Sequence, residues 1–400
     1  MNSAKKFQDQ FISEVKAGTK SKPLSQKIYD AFYAVPRHQF VKKYRLWGTT
    51  KWLEITAQNL EQHLATLYAN QAIALYGQDK DFDSTGGQGK PSSTISMPGL
   101  VLWMLDKLKL QKGHKVLEVG AGSGWNAGLM GHIVGPKGRV VSLDVIPEMV
   151  QSARKSIQTL NLNQVEIREG DGGDGYEPKA PYDRAIFTAG AYDLPHAFYQ
   201  QIKKGGLLLF VLMNKGRSNA TLILFEKKVD HFQSIDSSLC DFLPMRGKYH
   251  VGGLETQPLG QILSKNRIHS IPVDKKSYWW SASGSSGEFS WQTTGLRSFL
   301  AISEPMYESI QIKKEIPSFG LFDRNKKSLA VAYPDNLISY GSTRAKNHLL
   351  KILRNWVDIG MPGVVSLKVK AFPIDRKIEP GKNEWLVKRT ESQFLWSLPK

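Results

Sequence analysis

The sequence predicts a doubly wound, Rossmann-like α/β core with helices before it and a separate α+β domain after it. Three observations predict this. From Lys115 to Met213 short apolar runs alternate with helical stretches. A glycine cluster, Gly120, Gly122 and Gly124, directly follows the first of those runs. After about Asp230 the alternation stops. The expected divisions are residues 1–93, helical with a substrate-facing loop; 94–230, the α/β core; and 240–400, the last domain.

In the first part, Leu24, Ile28, Phe32 and Tyr33 recur at helical spacing, and Val35-Pro36-Arg37 ends that run. Leu60, Leu64, Leu67 and Tyr68 mark a second amphipathic helix. The polar, Gly-rich stretch Asp79–Ser93 reads as a loop, and Gly86–Gly89 within it as a lid. Met97-Pro98 opens an apolar helix, since proline suits the first helical turn. The core strands are expected at Val116–Val119, Arg139–Leu143, Val165–Ile167, Arg184–Phe187 and Leu207–Met213, with helices to about Ile133 and from Pro147 to Ile157. Farther on, Ser281–Gly287 reads as a low-complexity loop. Ser342–Trp356 reads as a helix stopped by Gly360 and Pro362, and Val365, Leu367 and Val369 as alternate positions of a half-exposed strand.

The chain has 400 residues, 41% of them apolar, and a net charge of +18. The excess cations lie in the first 50 residues and beyond residue 200, whereas 101–200 is neutral. Such a field attracts acidic peptide, nucleic acid or a membrane surface, and it also serves solubility alone. A single cysteine, Cys240, excludes a disulfide-stapled scaffold and favours a reducing cytoplasmic setting. The longest apolar run is too short to span a bilayer, and the first ten residues lack a secretory core. Nine scattered histidines without metal-ligand spacing predict no metal site, and no nucleophile elbow is present.

The chemistry-bearing motif is Glu118-Val119-Gly120-Ala121-Gly122-Ser123-Gly124. Its glycines permit a sharp turn and close ligand approach, with helix N–H groups facing the same point. Asp144, at the end of the next strand, can accept the hydroxyl protons of a ribose, and Asp171-Gly172 stands where an adenine would lie. The spacing is one residue shorter than the dinucleotide fingerprint, and the turn holds no cation for a pyrophosphate. A nucleoside cofactor without phosphates, S-adenosylmethionine, fits best; a tight structural turn is the plain alternative.

Several ordered motifs then resemble the protein-L-isoaspartate (D-aspartate) O-methyltransferases across roughly residues 30–225. These are Val35-Pro36-Arg37-His38-Gln39-Phe40-Val41, Thr94-Ile95-Ser96-Met97-Pro98, Gly170-Asp171-Gly172 with Gly175-Tyr176, Ala180-Pro181-Tyr182-Asp183 and Gly205-Gly206. The resemblance implies a class I methyltransferase fold and a methyl-transfer reaction on an aspartyl or isoaspartyl carboxylate of a peptide or protein. It implies Ser96 and Thr94 as catalytic residues. Glu118, Gly120, Ala121, Gly122, Ser123, Gly124, Asp144, Asp171 and Gly172 become cofactor residues, and Ile95 a substrate residue; Thr188, Ala189 and Tyr192 are expected to face substrate from their place after the fourth strand. Thr188–Asp193 and Phe210–Asn214 differ from the usual repair-enzyme turns. The long C-terminal part, with Asp241–Gly247 and Ser298–Ile302, resembles homologues that tailor ribosomal peptides by way of an aspartimide.

Competing roles stand beside these. Thr94 or Ser96 would cap the helix at Pro98. Glu118 would bond turn amides. Trp125 would pack in the core rather than wall the pocket. His196 reads as a surface residue, and Cys240 as a packed thiol rather than a nucleophile. Isoaspartyl repair, RNA methylation and a non-catalytic cofactor-binding module are the rival functions. Nothing in the sequence fixes the oligomeric state.

Overall fold

The computed structural model describes residues 2–18, 23–49, 51–77, 91–215, 220–252, 256–277, 291–313, 316–333 and 336–399. The expected lid at Gly86–Gly89 and the expected loop Ser281–Gly287 lie outside these residues.

The N-terminal part holds α1 (Asn2–Gly18), α2 (Gln26–Ala34), strands β1 (Lys43–Tyr44) and β2 (Leu53–Glu54), and α3 (Leu60–Tyr68). The hairpin β3 (Ile73–Tyr76) and β4 (Ser93–Ile95) leads into α4 (Pro98–Lys107). The core then runs β5 (Lys115–Val119), α5 (Trp125–Val134), β6 (Arg139–Asp144), α6 (Pro147–Thr159), β7 (Val165–Glu169), β8 (Tyr182–Phe187), α7 (His196–Gln201) and β9 (Ile202–Leu212). Antiparallel strands β10 (Ala220–Lys227) and β11 (Phe232–Cys240) follow.

The rest comprises β12 (Gln257–Pro258), α8 (Leu259–Lys265), β13 (Pro272–Ser277), α9 (Trp291–Ser303), β14 (Tyr307–Lys313), β15 (Ile316–Phe322), β16 (Leu329–Ala332) and β17 (Asn336–Tyr340). After α10 (Arg344–Asp358) come β18 (Lys368–Pro373), β19 (Glu384–Lys388) and β20 (Ser392–Ser397).

Ten strands form the main sheet in the order β19-β20-β18-β11-β10-β9-β8-β5-β6-β7. From β7 to β9 the pairs are parallel; from β9 outward they are antiparallel. The chain winds outward from β5 through β6 to β7, then returns to place β8 on the other side. The order therefore reverses between β5 and β8, the point at which an α/β sheet opens a ligand crevice at its carboxyl edge.

Strand alternation divides the core. Val116, Val140, Ile186, Leu209 and Leu222 face the N-terminal helices, while Leu117, Val141, Phe187, Phe210 and Phe225 face the other way. Crossover helices give that second face little cover, because α7 is only six residues long. Residues of the C-terminal part cover it instead: Leu349 and Trp356 of α10 and Phe394 and Trp396 of β20 share one buried cluster with Phe187, Phe210 and Phe225.

Residues 240–400 have the expected α+β content, with a second sheet of six strands ordered β12-β14-β15-β16-β17-β13. They are not set apart from the core as expected. β11 fills the expected junction at 231–240 and β18 pairs with it, so β18, β20 and β19 extend the main sheet. The reason is the apolar second face, which the C-terminal part must bury. Among the described residues no helix is long and apolar enough to cross a membrane.

Candidate active site

A cavity of about 700 Å³ opens at the carboxyl ends of β5, β6 and β8 and is closed on its far sides by β4, the start of α4 and residues 239–246. This size lies within the range of small-molecule sites.

The turn after β5 has backbone dihedrals that only glycine adopts easily: φ is +97° at Gly120 and +82° at Gly124. Both positions are also crowded, though by the protein itself. A Cβ on Gly120 would stand 2.7 Å from Thr188 Oγ1, and one on Gly124 would stand 2.8 Å from the Ala153 Cβ. These two glycines thus admit the β8 turn and α6 rather than a ligand. Gly120, Ala121, Gly122 and Ser123 nevertheless line the cavity.

Four of the turn amides are committed. Gly120 and Ala121 donate to the Leu143 carbonyl at 2.8 and 2.9 Å, Gly124 to the Ala121 carbonyl, and Gly122 to Asp144 Oδ2 at 2.7 Å. A phosphate nest needs such donors free, and these four amides are not free for one. Asp144 also accepts from the Ile146 amide at 3.0 Å and lines the cavity, and burial raises its pKa.

Glu118 is fully buried and does not bond turn amides. Its partners are Ser142 on the neighbouring strand, whose hydroxyl donates at 2.5 Å, and Asn126 of α5, whose amide donates at 2.6 Å. Desolvation pushes the Glu118 carboxyl up to about 7. Asp171 does not itself line the cavity. Its oxygens accept from the Gly173 amide at 3.0 Å and the Lys248 amide at 2.7 Å, while Gly170 and Gly172 line the wall beside it.

On the opposite wall lie Thr94, Ile95 and Ser96. Neither Thr94 nor Ser96 caps α4. Met97 is the cap position without a side-chain bond, and the carboxamide oxygen of Asn70 accepts the Gly99 amide at 2.9 Å. Asn70 thereby takes the capping role and leaves the Ser96 hydroxyl without a hydrogen bond among the described residues. The backbone here is held by Arg37. Its buried guanidinium donates to the carbonyls of Leu67 (2.7 Å), Gln71 (3.2 Å), Ile95 (3.3 Å) and Ser96 (3.0 Å). It also stands 5.5 Å from the ring of Trp125, which both lines the cavity and is buried, its indole donating to the Val35 carbonyl. In the sequence Arg37 marks only a helix end within a motif, and nothing local to it signals the carbonyls it holds.

Thr188 and Ala189 line the cavity, and the Thr188 hydroxyl donates to the Gly120 carbonyl at 2.6 Å. Tyr192 does not line it; its ring lies under the guanidinium of Arg389 at 3.6 Å. His196 is likewise away from it, at the start of α7. Residues 239–246, absent from the expected site, form one wall. They are stitched to the β8 turn, Gly190 donating to the Leu243 carbonyl and Met245 to the Gly190 carbonyl, each at 2.8 Å. Burial pushes the Cys240 thiol in this wall up to about 12, which keeps it protonated and poorly nucleophilic.

The charged side chains among the described lining residues are Glu118, Asp144, Asp241 and Arg246. Asp144 and Asp241 outnumber Arg246 even with the buried Glu118 only partly ionised at neutral pH, which makes an acidic cavity in a strongly basic chain. No group of three or more potential metal ligands occurs among the described residues.

Comparison with known proteins follows the same lines. The family profile described as protein-L-isoaspartate(D-aspartate) O-methyltransferase matches residues 8–250. Protein-L-isoaspartate O-methyltransferase 2 of Archaeoglobus fulgidus is 34% identical over 228 residues, 56% of this chain and 88% of that one. Protein-L-isoaspartate O-methyltransferase 1 of the same organism is 32% identical over 233 residues, 58% of this chain and 91% of that one. A solved structure titled protein-L-isoaspartate O-methyltransferase aligns with a TM-score of 0.52 at 20% identity, covering 91% of this chain and 96% of that chain. The shared fold therefore reaches into the C-terminal part.

Proposed function

The chain belongs to the protein-L-isoaspartate (D-aspartate) O-methyltransferase family, and on that premise we propose that it methylates isoaspartyl carboxylates of polypeptides with S-adenosylmethionine as donor. The observation that carries the cofactor reading is the acidic cavity with its committed turn amides. Carboxylates favour a cationic sulfonium and ammonium, and the turn offers little to a pyrophosphate. When bound, S-adenosylmethionine supplies a methyl group on positive sulfur: a carboxylate oxygen bonds the methyl carbon while the C–S pair departs with sulfur, leaving a methyl ester and a neutral thioether.

The protein's part is to bind and align. Asp144 retains lone pairs beyond those given to Gly122 and Ile146 and would hold the ribose hydroxyls. Gly120, Ala121, Gly122 and Gly172 form the floor for the nucleoside. Glu118, through Ser142 and Asn126, fixes β5 against β6 and α5, and Asp171 fixes the neighbouring loop through Lys248. The Ser96 hydroxyl, with Thr94 beside it, orients the acceptor carboxylate; Ile95, Thr188 and Ala189 wall it. An aspartyl carboxyl with pKa ~4 is already ionised at neutral pH, so no general base is required. In-line positioning in such a site is worth roughly 7–11 kcal/mol in favourable cases.

A second reading is tailoring of a dedicated precursor peptide, in which aspartate is esterified and the next backbone nitrogen displaces methanol to give an aspartimide. The long C-terminal part suggested this. Its fold has a counterpart in the aligned isoaspartate methyltransferase structure, so it does not favour tailoring over repair. The test offers an isoaspartyl peptide and its aspartyl twin with labelled S-adenosylmethionine. Methylation of the isoaspartyl form alone supports repair; esterification of the aspartyl form followed by methanol loss supports tailoring. Methylation of RNA and of neither peptide defeats both.

A further inference from the structure

We propose that Arg389 is a positioning residue for the acceptor side of the cavity, clamping the ends of β8 and β9 from the turn between β19 and β20. The proposal rests on the carboxyl methylation proposed above and gives the C-terminal part a role within it.

The guanidinium of Arg389 lies 3.6 Å from the centroid of the Tyr192 ring and donates to the Asn214 side-chain oxygen at 2.8 Å. One planar group thus holds a residue after β8 and a residue after β9 together. Neighbouring contacts fix the turn in place. The Asp193 carboxylate accepts the Glu391 amide at 2.6 Å, the Glu391 carboxylate accepts the His196 amide at 2.7 Å, and the Ser392 hydroxyl donates to the Leu194 carbonyl.

The clamped segments lead directly to the cavity. Met213, which lines it, adjoins Asn214 and donates to the Ala191 carbonyl at 2.8 Å. Ala191 donates in turn to the Val211 carbonyl at 2.9 Å, and Gly190 carries the bonds to Leu243 and Met245 in the wall. A displacement of Tyr192 or Asn214 therefore passes to Ala189, Met213 and residues 243–245 through continuous backbone bonding.

Stability alone does not explain an arginine here. Its Nε is shielded and has no hydrogen-bond partner among the described residues. An apolar side chain of similar volume would pack against Tyr192 without that desolvation loss. What it would lose is the simultaneous fix on an aromatic face and an amide oxygen.

The test uses the full chain with Arg389→Met, Arg389→Lys and Tyr192→Leu. Hydrogen exchange of amides 188–193 and 213–215 is expected to quicken about 10-fold in Arg389→Met, with 118–124 unchanged. The acceptor-peptide KM is expected to rise ~10-fold while the Kd for S-adenosylhomocysteine stays within about twofold. Lys, lacking the planar fork, restores less than half of the lost kcat/KM. An unchanged KM alongside a lower melting temperature overturns the proposal, as does an equal shift of KM and cofactor Kd. If Arg389→Met does not fold, Tyr192→Leu carries the same comparison. A wild-type chain that binds S-adenosylhomocysteine yet methylates no peptide defeats the functional reading; the exchange pattern then decides the clamp, and unchanged protection of 188–193 overturns it.

Discussion

The Arg37 guanidinium and the Ser96 carbonyl lie 3.0 Å apart although 59 positions separate them in the chain. The same guanidinium bonds the carbonyls of Leu67, Gln71 and Ile95, so one buried cation hangs the acceptor wall on the N-terminal helices. Burial lowers its pKa to about 9, which leaves it charged at neutral pH. Arg37→Lys keeps the charge and loses the fork, stranding several buried carbonyls. The expected loss is about 3 kcal/mol in denaturant unfolding. The acceptor KM is expected to rise more than the cofactor Kd.

Ser96→Ala separates orientation from stability. Its hydroxyl makes no hydrogen bond among the described residues, and Asn70 already caps α4. Unfolding free energy is expected to change by under ~0.5 kcal/mol. The kcat/KM for an isoaspartyl peptide falls ~10–100-fold, read by methyl incorporation. A loss of stability with unchanged turnover would return Ser96 to a structural role.

Asp144→Asn leaves one oxygen for the Gly122 amide and removes the carboxylate's charge. Titration calorimetry is expected to show binding of S-adenosylhomocysteine weakened by ~1–3 kcal/mol, the range for a hydrogen bond to a charged group. A smaller change in acceptor KM distinguishes this from general loss of the fold.

Glu118 gives a pH signature. Its folded pKa, about 7, stands above the ordinary value of 4.5. Between those values the folded state holds more protons than the unfolded one, so its contribution becomes less favourable as pH rises. In Glu118→Gln this dependence disappears. Thermal melts at pH 5 and pH 8 should show the variant gaining on the wild type at the higher pH, by on the order of 3 kcal/mol.

Gly120→Ala tests the turn. The substitution meets both a φ of +97° and Thr188 Oγ1 at 2.7 Å. The expected loss is ~1–3 kcal/mol of stability. Thr188→Ala in the same chain relieves the contact but not the dihedral, so recovery is partial.

The strands from Val116 to Leu212 were legible because apolar runs, turns and glycines follow local rules of backbone geometry and burial. The same locality placed α4 at Pro98 and α10 across Ala345, Leu349, Ile352 and Trp356. Ordered motifs marked Thr94, Ser96, Gly120, Gly122 and Asp144, all of which meet at one cavity. Partners distant in the chain were beyond such reading. Which residue caps α4, what Arg37 holds, where Asp171 turns and what lies over Tyr192 are fixed by approaches across tens to hundreds of positions. The last of these arises when the apolar second face of the sheet draws residues 296–396 onto it; the others arise from packing within the N-terminal part and from the chain beyond β11. Local chemistry thus determined the elements and the candidate nucleoside turn. Burial of a face that the short α7 leaves open decided how the C-terminal part joins the core and what lies over Tyr192.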